Sequence, residues 1–175
     1  MNKRKTIRLQ NYDYTQDGAY FITICSKDKK PLFGAIEGHC VVYNRAGEIA
    51  CEEIVQTNII RQEQNIQITK FIVMPNHVHM IVELVGSRRA VTANERFAAP
   101  VKQSVSTIVR AYKAAVTRRI RMLDVQLSNM QVWQPRFYDH VIRNEQDYLK
   151  IWQYIDSNPL KWAEDCYFED GHGTP

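Results

Sequence analysis

The stretch FIVMPNHVHMIVELV, residues 71–85, decides the fold because it reads as two apolar strands that meet at a tight turn. Pro75 and Asn76 form a natural break between the strands 66–74 and 77–85. Side chains alternate across a strand, so the second strand has one apolar face and one face that contains histidine. The apolar face comprises Val78, Met80, Val82 and Leu84. The other face comprises His77, His79, Ile81 and Glu83.

The segments around this hairpin alternate between strand and helix patterns. Strand patterns occupy 18–27 and, more briefly, 39–45 and 132–143; helical patterns occupy 46–62, 101–123 and 145–158. Asn144 is a suitable N-cap for the last helix, with Asp147 in its first turn, and Pro159 ends it. This order predicts an α+β fold of ferredoxin-like or RRM-like kind, an antiparallel sheet with helices packed mainly on one face.

The length of 175 residues predicts a single domain, 1–175, with a basic tail (1–8), a flexible loop (86–100) and a disordered tail from about 168 to 175. The four cysteines are widely spaced and form no CxxC pair, which argues against a zinc ribbon or a disulfide framework. No signal peptide and no apolar run of membrane-spanning length is present. We therefore expect a cytoplasmic protein without a membrane partner.

Positive charge is clustered, although the net charge is only +4. Basic residues that would contact a phosphate backbone lie in the N-terminal tail, in the loop after residue 85 and in the helical segment 101–123. They are Lys3, Arg4, Lys5, Arg8, Arg88, Arg89, Arg110 and Lys113. Arg118, Arg119 and Arg121 lie in the same helical segment as Arg110 and Lys113. Such clustering is typical of a phosphate-backbone binder, but it also fits a solvated helix face and a frayed tail. Tyr12 and Tyr14 could stack on unpaired bases or cover the sheet edge.

The two histidines suit a metal site. Residues two apart on a strand are about 7 Å apart at the backbone, so His77 and His79 can converge on one cation. The alternative is a pair of satisfied polar residues on a solvated sheet face. Two protein ligands are too few for structural zinc, which takes four. Open coordination positions suit a metal that also binds a substrate oxygen, and phosphate is the obvious candidate.

The last helix contains two tyrosines in different positions. Tyr148 lies in the middle of the apolar face and is expected in the core, whereas Tyr154 lies at its polar edge with Lys150 and Asn158. Tyr154 could be an ordinary amphipathic residue. Near a divalent metal, its phenol oxygen could instead attack a phosphodiester, and Asn158 could add a neutral oxygen ligand.

Several stretches together resemble one family. VMPNHVHMIVEL (73–84) resembles the histidine–hydrophobic–histidine (HUH) motif of single-tyrosine transposases, and WQPRFYDHVIRNEQDYLKIWQYIDSNPLKW (133–162) is similar to the C-terminal signature of the REP-associated tyrosine transposases. NYDYTQDGAYFITICSKDKKPLFG (11–34) and SVSTIVRAYKAAVTRRI (104–120) resemble further segments of that family.

The resemblance implies a nuclease and strand transferase, a transposase, that acts on single-stranded DNA near hairpins of palindromic repeats, as a monomer or homodimer. His77 and His79 would bind Mg²⁺ or Mn²⁺ with Val78 as spacer, and Tyr154 would be the nucleophile. Asn158 matches a position where relatives place a polar ligand. His140 lies within the signature; like Lys150, it is a candidate outer residue of the site.

Two other functions remain open from the residues alone. A non-catalytic module that binds single-stranded nucleic acid would keep the basic and aromatic residues without needing the histidine pair. A metal-dependent phosphoesterase that uses water would not need Tyr154.

Overall fold

A computed structural model describes residues 17–85 and 104–164 of the chain. Its strands are β1 (Gly18–Cys25), β2 (Gly34–Glu37), β3 (Cys40–Tyr43), β4 (Ile66–Met74), β5 (His77–Leu84) and β6 (Tyr138–Ile142). Its helices are α1 (Arg45–Arg61), α2 (Val105–Arg121) and α3 (Glu145–Ser157). The predicted basic tail, the loop 86–100 and the C-terminal tail lie outside the described residues.

Four strands form the main sheet in the order β4-β5-β1-β6, and every neighbouring pair is antiparallel. The chain crosses from β1 through α1 to β4 and returns along β5 between them. It then crosses through α2 to β6 on the other side of β1. This is the ferredoxin-like arrangement, so the predicted α+β fold is confirmed. It places β5 in the interior of the sheet, paired on both sides.

The short strands β2 and β3 form a separate hairpin. The sequence indicated β3 but not β2, because GAIE (34–37) is too short to show an alternating pattern. The hairpin leads into α1, whose N-cap Asn44 accepts a hydrogen bond from the Gly47 amide at 3.0 Å. A Cβ atom on Gly47 would lie 2.0 Å from the Phe33 carbonyl oxygen, so this close approach requires glycine.

The two faces of the sheet are covered by different helices. The main core lies between one face and helices α1 and α2, and it includes Val78, Met80 and Val82 of β5. On the other face, α3 packs through a smaller cluster that comprises Ile81, Ile142, Ile151 and Ile155. Two of the three helices therefore share a face, as expected, and α3 lies on the histidine face.

Helix α3 begins where the sequence predicted. The Asn144 side chain accepts a hydrogen bond from the Asp147 amide at 2.8 Å, and this N-cap contact satisfies one of the exposed donors of the first turn. The predicted extended segment 132–143 is only partly strand. β6 begins at Tyr138, and before it Trp133 makes a single bridge to Ser26. No helix within 17–85 or 104–164 combines the length and the apolar character needed to cross a membrane.

Candidate active site

His77 and His79 point to the α3 face, as the strand alternation predicted. Their ring centroids are 4.3 Å apart with an angle of 65° between the planes, and the two residues are 0% and 1% exposed. Because β5 is an interior strand, hydrogen bonds on both sides fix the backbone that carries both rings. The strand therefore holds two imidazoles close together at a rigid position.

Each ring has an oxygen atom next to its Nδ1 atom. The His77 Nδ1 atom lies 2.8 Å from Asn76 Oδ1, and the His79 Nδ1 atom lies 2.8 Å from Thr23 Oγ1. Thr23 is the residue of β1 that pairs directly with His79. With each Nδ1 atom engaged in this way, a metal ion would bind these rings through the Nε2 atoms.

Tyr154 lies against His79. Its hydroxyl oxygen is 3.3 Å from His79 Nε2, and the two ring centroids are 5.2 Å apart. Phe21 of β1 contacts both residues, with centroid distances of 5.1 Å to His79 and 6.0 Å to Tyr154. The tyrosine is 38% exposed, so one side of its ring faces solvent. The fold therefore brings the predicted nucleophile next to a predicted metal ligand of the same chain.

The chain that follows Tyr154 covers the other histidine. Asn158 is the C-cap residue of α3 and is 2% exposed, although its side chain is polar. Four residues later, the Trp162 ring lies 5.9 Å from the His77 ring. The C-terminal end of α3 and the residues after it thus lie over the histidine pair, with Tyr154 next to His79 and Trp162 next to His77.

The electrostatic environment of His79 favours an uncharged ring. Burial, and then the neighbouring His77, hold the pKa of His79 well below its ordinary value. A neutral imidazole is the form that binds a metal ion. In the described part of the chain no group of three His, Cys, Asp or Glu side chains could hold a metal. A cation here would use the two imidazoles, the Asn158 amide oxygen and oxygen atoms of a substrate, which is an acceptable set for Mg²⁺ or Mn²⁺.

Two polar contacts fix α3 on the sheet. Tyr148 is half-buried against the smaller cluster. Its hydroxyl donates a hydrogen bond to Glu83 Oε1 at 2.8 Å. Lys70 of β4 forms an ion pair with Asp156, and its ammonium lies 4.5 Å from the centre of the Trp152 ring. These contacts lie on either side of Tyr154 along the helix and hold it at the histidine pair.

The two candidate outer residues are His140 of β6 and Lys150 of α3. His140 Nε2 is 2.8 Å from Asp147 Oδ2, and this contact ties β6 to the first helical turn. The hydrogen bond to His140 lowers the pKa of the Asp147 carboxyl. Lys150 is exposed on the same helix. Roles for His140 and Lys150 in chemistry stay predictions.

Of the predicted DNA contacts, Arg110 and Lys113 fall within the described residues, and both lie on α2. Arg110 is exposed, whereas Lys113 donates to the Gln134 carbonyl at 2.5 Å and burial lowers its pKa. Arg119 of the same basic segment forms ion pairs with Glu52 and Glu53. Helix α2 packs on the face opposite to the histidines, so DNA bound there would have to pass around the sheet. The other predicted contacts, Lys3, Arg4, Lys5, Arg8, Tyr12, Tyr14, Arg88 and Arg89, lie outside the described residues.

The sequence does not predict four neighbours of the histidine pair: Phe21, Thr23, Asn76 and Trp162. Thr23 and Phe21 become visible only with the register of β1 against β5. Asn76 directly precedes His77 in the chain, and its turn position was recognised without its contact to the ring.

Comparison with known proteins gives the following. No family model matches the chain. An uncharacterized protein of Haemophilus influenzae is 35% identical over 179 residues, which cover 97% of this chain and 96% of that protein. A candidate REP-associated tyrosine transposase of the same species is 21% identical over 155 residues, covering 87% and 77% of the two chains. The solved structure of a REP-associated tyrosine transposase bound to a REP hairpin has a similar fold. Its TM-score is 0.54 at 22% identity, with 89% of this chain and 74% of that chain covered.

Proposed function

We propose that the chain is a REP-associated tyrosine transposase, which it resembles in sequence and fold, and that it cleaves and joins single-stranded DNA beside hairpins of palindromic repeats. The observation that carries the proposal is the 3.3 Å distance between the Tyr154 hydroxyl and His79 Nε2. A phenol beside a pair of imidazoles is the arrangement needed for a metal-assisted attack on phosphate. Because both groups meet within one chain, the geometry supports an active site formed by a single protomer of a monomer or homodimer.

The reaction proposed is a transesterification. The Tyr154 oxygen attacks the scissile phosphorus in line, and the bond between phosphorus and the 3′-oxygen breaks. The phenol proton leaves to water and the 3′-oxygen gains a proton. The product is a 5′-phosphotyrosine, which retains the ester bond. A second 3′-hydroxyl can therefore reverse the step and join strands without another energy source.

The residues around Tyr154 have separate tasks in this scheme. His77, His79 and Asn158 would hold Mg²⁺ or Mn²⁺, which when bound supplies polarisation of a phosphate oxygen. Imidazole ligands favour Mn²⁺ over Mg²⁺, so we expect Mn²⁺ to support more activity. Phe21 and the contacts of α3 hold the phenol in place. Basic residues would bind the DNA backbone, and the enzyme would work in the cytoplasm at the nucleoid.

A covalent-trapping experiment tests this function. Hairpin DNA with a labelled single-stranded flank is incubated with the protein and Mn²⁺, and a denaturing gel separates a protein–DNA adduct from free DNA. We expect an adduct with the unaltered protein, none with Tyr154→Phe, and peptide mass spectrometry should place it on Tyr154. Tyr148→Phe is the matched control, because it removes a hydroxyl from the same helix that contacts Glu83 and not His79.

The same gel separates the rival functions. Cleavage that survives in Tyr154→Phe would favour a phosphoesterase that uses water. Salt-sensitive binding without cleavage by the unaltered protein would favour a non-catalytic binding module. The absence of an adduct across a set of hairpin substrates and both metals would contradict the transposase mechanism.

A further inference from the structure

Asn76 has a fixed amide orientation. Its side chain lies between the Lys29 carbonyl oxygen, 2.9 Å from Nδ2, and the His77 ring, 2.8 Å from Oδ1. A carbonyl oxygen only accepts hydrogen bonds, so the amide nitrogen must face Lys29 and the amide oxygen must face His77. The residue is 2% exposed, and a reversed amide would place two acceptors against each other in a buried position.

The amide orientation in turn fixes the proton on the ring. Asn76 Oδ1 can only accept, so His77 Nδ1 must carry the hydrogen of that contact. An uncharged His77 ring then has its lone pair on Nε2. We propose that Asn76 is a positioning residue that locks His77 in the tautomer able to bind a metal through Nε2, and that the Lys29 carbonyl sets the direction of this lock.

The turn that carries Asn76 is itself fixed by the neighbouring loop. The Ser26 amide donates to the Asn76 carbonyl at 2.8 Å, and the amides of Leu32 and Phe33 donate to the Pro75 carbonyl at 2.8 and 2.9 Å. These bonds hold the backbone at the β4–β5 turn, so Asn76 presents its side chain to both partners in one arrangement. The proton position on His77 is thus determined by the backbone of residues 26–33.

The second histidine is different. The Thr23 hydroxyl next to His79 Nδ1 and the Tyr154 hydroxyl next to His79 Nε2 can each donate or accept. The protein alone therefore leaves the His79 tautomer undecided, while that of His77 is determined. This asymmetry makes Asn76 the residue to alter.

The role of Asn76 in metal binding rests on the proposed function. The tautomer of His77 does not, because it can be observed without metal or DNA. In ¹⁵N-labelled, metal-free protein, long-range proton–nitrogen spectra of the imidazoles distinguish a protonated from an unprotonated ring nitrogen, and His77→Gln identifies the signals of His77. We expect protonated Nδ1 and unprotonated Nε2. Free imidazole side chains in water prefer the opposite tautomer, so a proton on Nε2 would overturn the inference.

Metal affinity tests the consequence. Asn76→Ala is expected to weaken Mn²⁺ binding about 10- to 100-fold, as is usual when an outer partner of a metal ligand is removed. Asn76→Asp keeps an acceptor for His77 but places a second acceptor against the Lys29 carbonyl, so it should recover only part of the affinity. Asn58→Ala is the matched control, because Asn58 also bonds a backbone amide and carbonyl, at Ile68, but contacts no histidine. Unchanged affinity in Asn76→Ala would overturn the positioning role.

The two failures are distinguishable. If the unaltered protein binds no Mn²⁺ while His77 shows the expected tautomer, metal binding in the proposed function is contradicted, and the control of the His77 tautomer by Asn76 is supported. If it binds Mn²⁺ and His77 shows the other tautomer, the control of the His77 tautomer by Asn76 is contradicted, and the proposed function is unaffected. The spectrum of the unaltered protein decides the tautomer even if Asn76→Ala does not fold.

Discussion

Replacement of Tyr154 by phenylalanine should increase the affinity for Mn²⁺. The Tyr154 hydroxyl lies 3.3 Å from His79 Nε2, the nitrogen that a metal ion would use. A lone pair that binds a metal cannot also accept a hydrogen from the phenol. The metal must therefore displace this hydrogen bond, and a chain without the hydroxyl is spared that loss.

The geometry sets the magnitude. A distance of 3.3 Å is long for a hydrogen bond from a hydroxyl group, so the contact lies at the weak end of the usual range. With about 0.5–1 kcal/mol for such a bond, and about 1.4 kcal/mol for each factor of ten, Tyr154→Phe should bind Mn²⁺ about two- to fivefold more tightly. Isothermal titration of the DNA-free protein near neutral pH measures this difference.

The direction of the change in Mn²⁺ affinity shows whether the Tyr154 hydroxyl competes with the metal ion or binds it. Tyr148→Phe is the control and should leave Mn²⁺ affinity unaltered, because its hydroxyl bonds Glu83. Weaker binding by Tyr154→Phe would mean that the phenol oxygen is itself a ligand. Equal binding would mean that the hydroxyl does not compete for His79. Either result would refute the reasoning.

Three further predictions concern stability, each measured by urea denaturation. Because the folded-state pKa of His79 is depressed, the unfolded chain gains a proton that the folded chain resists, so the unfolding free energy should fall below about pH 6.5, by at most about 1.4 kcal/mol per pH unit. His79→Gln should reduce this slope. Lys70→Met should cost about 1 kcal/mol through the lost ion pair and the lost contact with the Trp152 ring, and more than Asp156→Asn, which keeps the ring contact. Gly47→Ala should cost about 1–3 kcal/mol, because its Cβ atom would lie 2.0 Å from a backbone oxygen; an unchanged midpoint would mean that α1 can shift at no cost.

The sequence predicted the sheet well because its strongest signals are local. Alternation in β5 correctly separated the core side chains from the histidines, and Asn144 correctly marked the start of α3. The resemblance to REP-associated tyrosine transposases is also confirmed by the comparisons. In contrast, β2 was missed, since a strand of four residues carries too little pattern to distinguish it from a loop.

The surroundings of the site could not be predicted, because they depend on contacts between distant segments. Thr23 meets His79 across 56 positions of sequence; Tyr154 meets it across 75, and only the family resemblance predicted that contact. Only a known register and a known helix placement reveal such neighbours. Positively charged residues are subject to the same limit. The sequence predicts that Lys113 contacts the DNA backbone, yet its ammonium group donates a hydrogen bond to the Gln134 carbonyl. Its role in DNA binding stays a prediction.

The division of the core into two clusters has a consequence for local unfolding. The histidines lie on an interior strand anchored by the main core, whereas α3 is held by four buried isoleucines and a few polar ties. Elements with fewer buried contacts open at lower free energy. The helix that carries Tyr154 should therefore exchange its amide hydrogens faster than β5, as a separate cooperative unit. If Tyr154 is the nucleophile that we propose, this separate opening would let it move away from the histidines while the sheet stays folded, so that the protein could stay attached to one DNA end while a second end enters the same site.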